Sequence, residues 1–293
     1  MAARSSDSGL GLGLALLLCA AAACELGARE PAAAEPKPAP VQAPALAASA
    51  KAVSPGAEAQ GARACSAPDA QGWGQCAGLR YLELLRGGAK ADSALPMVVL
   101  IHGLGDRPRD VWIGEVGVPM RIILPQAPIP RGPGFSWFEF RVGDGDSAGL
   151  ARGIATAAAQ LARALEGLRA VRPTRGLPFV GGFSQGGMLS YALALGHPQV
   201  LSMAHPIAGM LPRPLWPREK PAGVRLPPIR AAHGDSDRIV PAAADRALHA
   251  HLKKLGYDAE LREYPGVAHQ ISPEMGERLG AIVMTATSAA AAQ

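Results

Sequence analysis

Aromatic residues make up only 4% of this 293-residue chain, and charged residues only 18%. With so few aromatics the core must be aliphatic, and alanine inflates even the 48% hydrophobic fraction. That fraction, set against the low charge, still excludes a chain disordered throughout. The 35 glycines and 27 prolines fall short of the share that marks a wholly low-complexity protein. No run of five or more Lys or Arg occurs, so the net charge of +5 is scattered and no nucleic-acid partner is expected. Beyond residue 30 there is no apolar stretch of about 18 residues, which excludes an interior transmembrane helix of ordinary length. The length allows one or two domains.

The N-terminus has the anatomy of an export signal. Residues 10–23 (LGLGLALLLCAAAA) form an apolar run of the length of a signal h-region, and three small residues, Ala21, Ala22 and Ala23, precede Cys24. This resembles the lipobox of bacterial lipoproteins, which implies cleavage before Cys24 and a diacylglycerol on its thiol. The departures are Ala21 where that pattern prefers Leu, and a lone Arg4 in the n-region, offset by Asp7. An ordinary signal cut near Ala23 without a lipid is the other reading, and an uncleaved anchor a weaker one. The expected division is a signal at 1–23, an Ala/Pro-rich tether at 24–60 that cannot bury enough surface to fold, and a folded domain at 61–293. The chain is thus expected to be exported, periplasmic, outer-membrane or secreted, with membrane contact through the N-terminal anchor. Cys65 and Cys76 remain in the mature chain, and in an oxidising compartment such a nearby pair is expected to bridge.

From residue 79 the pattern alternates between short apolar runs and amphipathic segments. Leu79–Leu85, Met97–Ile101, Arg121–Leu124, Leu177–Val180, Met203–Ile207, Ile229–Ala232 and Ala259–Tyr264 are bounded by turn residues and read as strands. Residues 147–170 carry Leu150, Ile154, Ala158, Leu161, Leu165 and Leu168 on one stripe, after the possible caps Asp146 and Ser147. Residues 185–195, 241–255 and 273–288 read as further helices, the middle one ending at Gly256. The expectation is an α/β fold, a doubly wound and mostly parallel sheet with helices on both faces. In such sheets the site lies at the carboxyl ends of the strands.

At one of those ends lies Gly182-Phe183-Ser184-Gln185-Gly186, a G-x-S-x-G pattern between a strand and a helix. A nucleophilic serine on a strained strand-to-helix turn needs glycines around it, and the helix N-terminus turns free N–H groups toward a developing anion. Alone the pattern is of modest specificity, and a glycine-rich turn capped by Ser184 is the bland reading. The serine needs a base, and the base an orienting carboxylate, in the chain order Ser, acid, His. Asp237 in His233-Gly234-Asp235-Ser236-Asp237 and His269 in Tyr264-Pro265-Gly266-Val267-Ala268-His269 follow in that order at strand ends. Asp235 is the competing acid, or a loop cap. His102 and His233 read as structural hydrogen-bonders. His197, His205, His249 and His251 lack a partner pattern, and two residues apart on a helix His249 and His251 make a poor metal pair. The oxyanion donors are expected to be the N–H of Gln185 and that of Leu104, in His102-Gly103-Leu104-Gly105-Asp106. No metal or cofactor is implied.

The segments HGLGD (102–106), LPQAP (124–128), FSWF (135–138), GFSQGG (182–187), HGDSD (233–237) with VP (240–241), and GVAH (266–269) appear in order. Together they resemble the phospholipase/carboxylesterase family of α/β-hydrolases, which includes acyl-protein thioesterases, over about residues 79–285. The resemblance implies a sheet with little or no cap, hydrolysis of carboxylic esters or thioesters, no cofactor, Ser184, Asp237 and His269 as triad, and Leu104 and Gln185 as oxyanion donors. The stretch at 106–120 is shorter than the family's usual helical segment. Trp112 and Trp137 are candidates for the wall of an acyl groove, or else buried structural residues. Arg107, Arg109, Arg131 and Arg141 could surround the mouth and favour an anionic head group, or form a solvated rim. The expected function is an exported serine carboxylesterase acting on a small-molecule or lipid ester. Its rivals are a peptidase or a polyester or feruloyl esterase on the same fold, and an exported binding lipoprotein with a dead site.

Overall fold

A strand whose every side chain is apolar must be covered on both faces. β3 is such a strand: all five of its residues are buried, with Met97, Val99 and Ile101 in one core and Val98 and Leu100 in the other. The computed structural model describes residues 65–109, 117–139 and 142–291, with side chains as far as 288. The expected signal, the tether, Cys24 and the first residues of the expected domain lie outside the described residues, as do Trp112 and Arg141.

In chain order the elements are β1 (Trp73–Cys76), β2 (Leu79–Arg86), β3 (Met97–Ile101), β4 (Met120–Pro125), the paired β5 (Ile129–Arg131) and β6 (Gly134–Ser136), α1 (Ser147–Val171), β7 (Phe179–Phe183), α2 (Gln185–Gly196), β8 (Met203–Ile207), β9 (Ile229–Gly234), α3 (Ala242–Lys254), β10 (Ala259–Tyr264) and α4 (Pro273–Ala291). The main sheet has the order β1-β2-β4-β3-β7-β8-β9-β10. β1 and β2 run antiparallel, and every pair from β4 to β10 is parallel. The doubly wound, mostly parallel sheet is therefore present, with an antiparallel edge. α1, α2 and α3 contribute Leu161, Leu189 and Leu248 to one core; α4 contributes Met275, Leu279 and Val283 to the other. Among the described residues no helix is long and apolar enough to cross a membrane.

Local chemistry sets several boundaries. The Asp146 carboxylate accepts the Gly149 N–H at 2.7 Å and caps α1, as its position before the apolar stripe suggests. β7 runs on through Gly181 and Gly182, beyond the apolar run, paired with β3 and β8; an added Cβ at Gly182 would meet the Gly186 carbonyl and the Ser190 hydroxyl, so only glycine fits there. Cys65 and Cys76 are joined by a disulfide, which ties the segment before β1 to that edge strand. Tyr81 Oη donates to the Ser66 carbonyl at 3.0 Å and fastens the same corner.

An arginine lies in the middle of the sheet. Arg121 on β4 is completely buried. Its guanidinium donates to the carbonyls of Pro173 (2.8 Å) and Ala91 (2.6 Å), and Glu83 Oε1 lies 3.4 Å from its Nε. Arg172 Nε stands 3.0 Å from the other Glu83 oxygen. Two guanidinium groups thus share one carboxylate, which keeps the buried charge paired.

Candidate active site

The carboxyl ends of β3, β7, β9 and β10 lie along one edge, as parallel register requires, and each delivers one part of the site. β7 ends at Phe183 and leads into Ser184, whose φ of 56° and ψ of −114° place a residue other than glycine in a left-handed conformation. Such a turn costs free energy and persists only where its surroundings hold it. Here the Ser184 N–H donates to the Ile207 carbonyl at 2.9 Å. Gly186 and Gly187 let the start of α2 press on neighbouring backbone, since an added Cβ would meet the Ile101 carbonyl at Gly186 and the Ile207 carbonyl at Gly187.

The structure brings Ser184, Asp237 and His269 together. Ser184 Oγ lies 2.9 Å from His269 Nε2, and His269 Nδ1 lies 2.6 Å from Asp237 Oδ2. With Nδ1–H donating to the carboxylate, Nε2 is free to accept the serine proton. The other Asp237 oxygen accepts the N–H groups of Ile239 (2.8 Å) and Val240 (2.9 Å), so each oxygen of the carboxylate has a partner. The Phe183 ring lies against the His269 imidazole, with centroids 4.9 Å apart. Asp235, the competing acid, is instead a loop cap: its Oδ1 accepts the Gly266 N–H at 2.8 Å and the Ser236 hydroxyl at 2.9 Å.

The loop after β3 supplies the other wall. A Cβ on Gly103 would stand 3.2 Å from the Ser184 Cβ, which puts the Gly103–Leu104 backbone beside the serine. His102 holds this loop as a structural hydrogen-bonder. Its Nδ1 donates to the Gly103 carbonyl at 2.8 Å, and its Nε2 accepts the Ala127 N–H at 3.1 Å. Burial pushes its pKa below the ordinary histidine value, which favours this neutral tautomer. The β5–β6 ribbon braces the loop, with the Gly105 N–H donating to Phe135 O at 2.8 Å and the Phe135 N–H to Asp106 O at 2.9 Å.

Trp137 is placed as the buried alternative, and Gln185 makes side-chain contacts beyond its expected backbone role. Trp137, a candidate wall of an acyl groove, is 3% exposed. Its Nε1–H donates to the His102 carbonyl at 2.9 Å, so the indole lies beneath the loop as the buried structural alternative requires. The sequence points to Gln185 only through its backbone N–H, yet its side chain also organises the site. Its Oε1 accepts from Trp137 N–H (3.0 Å) and Ser136 Oγ (3.2 Å), and its Nε2 donates to Phe138 O (3.2 Å). The motifs at 102–106, 124–128, 135–138 and 182–187 thus converge on one hydrogen-bonded scaffold. Arg107 and Arg131 are exposed, and Arg109 pairs with Asp106 at 3.1 Å.

Among the described residues no group of three or more His, Cys, Asp or Glu side chains is placed to hold a metal ion. A recess of about 430 Å³ lies between the start of α1, the segment after β8 and α3, and is lined by Val142, Leu150, Met210, Leu211 and Trp216 among others.

A mostly parallel sheet of this strand order, with its candidate residues on loops at the carboxyl edge, defines an α/β hydrolase. Residues 88–282, well over half of the chain, match the phospholipase/carboxylesterase family, and the chain belongs to it. Acyl-protein thioesterase 1 of Gibberella zeae is 30% identical over 209 residues, which cover 60% of this chain and 84% of that protein. The carboxylesterase SOBER1 of Arabidopsis thaliana is 35% identical over 95 residues, covering 32% of this chain and 42% of that relative. Among solved structures, esterase PE8 aligns with a TM-score of 0.57 at 27% identity, over 69% of this chain and 98% of that one. Acyl-protein thioesterase 2 of Zea mays shares the fold, with a TM-score of 0.52 at 20% identity over 71% of this chain and 99% of its own. Membership and these relatives support an esterase function.

Proposed function

We propose that this chain is an exported serine carboxylesterase that works through an acyl-enzyme. The observation that carries the reading is the continuous hydrogen-bonded line from Ser184 through His269 to Asp237. In the forward step Ser184 Oγ attacks the ester carbonyl while His269 Nε2 takes its proton. Asp237 holds the imidazole and steadies its charged form. The N–H groups of Leu104 and Gln185 receive the oxyanion of the tetrahedral intermediate. The intermediate collapses, and the alcohol leaves with the proton from His269. Water then attacks the acyl-enzyme by the same route and releases the acid.

The acyl side of the substrate is assigned to the recess beyond β8. Phe183 pairs with Ile207 in register, so Ala208 is level with Ser184, and Met210 at the wall of the recess follows two residues later. Thioesters are a second substrate class, favoured by the similarity to a protein named acyl-protein thioesterase 1. The N-terminal pattern ending at Ala21-Ala22-Ala23-Cys24 supports export and a lipid on Cys24.

The test is hydrolysis of p-nitrophenyl esters from acetate to palmitate, alongside the matching thioesters, by the wild-type chain and by Ser184→Ala. The variant is expected to keep its fold and lose turnover by about 10⁴-fold or more. It should also escape labelling by a fluorophosphonate. Comparable activity in the variant refutes the reading.

A further inference from the structure

Behind the proposed triad lies a second buried group of titratable side chains. His233 is the penultimate residue of β9 and is fully buried. Its Nδ1 lies 2.8 Å from Asp245 Oδ2, and its Nε2 lies 2.8 Å from the Val240 carbonyl. That same Nε2 is 3.4 Å from Asp237 Oδ2, the oxygen that accepts the His269 proton donor. Asp245 on α3 is fully buried too, and its Oδ1 accepts the hydroxyl of Tyr191, on α2, at 2.5 Å. His249 Nε2 lies 2.7 Å from that hydroxyl. No pattern in the sequence points to Asp245 or to Tyr191.

The hydrogen-bond count assigns the protons. A peptide carbonyl only accepts, so His233 Nε2 must carry a proton for Val240. His249 Nε2–H can donate to Tyr191 and Tyr191 O–H to Asp245 Oδ1, and an ionised Asp245 takes a donor on its other oxygen as well. His233 Nδ1–H then supplies that donor, and the ring carries two protons. We infer that His233 is a buried imidazolium, kept charged by Asp245, and that it acts as a positioning residue on the acid–base chemistry of His269 through Asp237. Burial is the largest influence and opposes its charge, but the Asp245 carboxylate, the Val240 carbonyl and Asp237 together outweigh it and raise its pKa above the ordinary histidine value. Tyr191 is held well above the ordinary tyrosine value by burial and by Asp245, so its proton stays in place.

The other charges nearby complete the account. On the face of β10 that meets His233, Glu263 is its register partner, and its carboxylate is paired with Arg246 of α3. Lys253 acts electrostatically on His249, whose pKa burial depresses, so that ring is the neutral end of the line. What His233 adds is a positive charge at the same Asp237 oxygen that His269 engages.

The inference rests on reading Ser184, His269 and Asp237 as the reacting groups. The two imidazoles share Asp237 Oδ2, so their facing nitrogens are at most about 6 Å apart. A cation at that range opposes a second positive charge on the His269 ring. Asp245 offsets part of that field, so without the cation the acid limb of kcat/KM moves to higher pH by about one unit at most. The expected result is this upward shift in both Asp245→Asn and His233→Gln, with KM unchanged because neither residue touches substrate. The double variant moves the limb no further than either single one.

Rates that fall evenly at every pH, with the limb in place, mean these residues only hold the fold, and overturn the inference. Should the variants not fold, ¹⁵N NMR of the wild-type histidines decides: a doubly protonated ring that does not titrate between pH 6 and 8 upholds it, and no such ring overturns it. A wild-type chain that neither hydrolyses esters nor takes a fluorophosphonate removes the reading of the site, and this inference with it. An active wild type whose variants keep the limb removes this inference alone.

Discussion

His205 offers a direct measure of how strongly this core rejects charge. It lies on β8, 1% exposed, and neither ring nitrogen makes a well-formed hydrogen bond among the described residues, with only a weak contact to the Arg230 backbone. Burial lowers its pKa from 6.5 to about 4. Because the folded value lies below the unfolded one, the unfolded chain takes up a proton between those limits that the native state refuses. Stability contributed by neutral His205 is therefore full above pH 6.5, falls as pH drops, and is gone below pH 4. A tenfold difference in proton affinity between the two states is worth about 1.4 kcal/mol, so the whole effect is about 3 kcal/mol, a large share of a domain's net stability. His205→Leu abolishes the titration at similar side-chain volume. The assay is urea unfolding of wild type and variant at pH 7.5, 6, 5 and 4. The variant should gain on the wild type steadily toward acid, by about 3 kcal/mol across the series. His102, His197 and His249 are depressed as well, but they are common to both proteins and cancel in the difference. Parallel pH dependences would show that His205 titrates as it would in water, and would refute the argument.

Three other outcomes follow from the packing. Glu83→Ala leaves two guanidinium groups, one of them wholly buried, without their carboxylate, and should cost about 3–5 kcal/mol in chemical unfolding. Gln185→Leu strips the acceptor from the buried Trp137 N–H. It should cost about 1–3 kcal/mol by thermal melting and lower kcat more than it raises KM, because the loop beneath the oxyanion site loosens. Cys65→Ser with Cys76→Ser opens a link between residues 11 apart, worth about 3 kcal/mol on the loop-entropy account, and the loss should vanish when wild type is unfolded under reducing conditions.

What can be read from the chain depends on whether the deciding contacts are local. Strands such as β3 and β4 declare themselves because each is an apolar run bounded by turn residues, and α1 because its stripe and its cap lie within a few residues. β1 gives no such signal: its sequence, WGQC, has no alternation to detect, and it is held by pairing with β2 and by the disulfide. The β5–β6 ribbon is silent for the same reason, being three residues on each side with a proline in one. The antiparallel run of β2 is likewise a fact of pairing, invisible in a strand's own residues. In the site, Ser184, Asp237 and His269 are legible because chain order and flanking glycines constrain them. The links Tyr191–Asp245 and Gln185–Trp137 join residues 54 and 48 apart, with no spacing rule to reveal them. His249 has no visible partner in sequence because its partner lies on another helix.

The crowding around Ser184 also governs how this protein can change over generations. Gly182, Gly186 and Gly187 are fixed by backbone atoms, which cannot step aside as a flexible side chain would. Drift at those three positions is closed whatever the substrate. Leu104, Arg107, Arg109 and Arg131 face solvent and carry no such constraint. A lineage shifting toward a new ester would therefore keep its elbow and vary its rim. Laboratory selection for altered substrates should recover changes at the rim and leave the three glycines untouched.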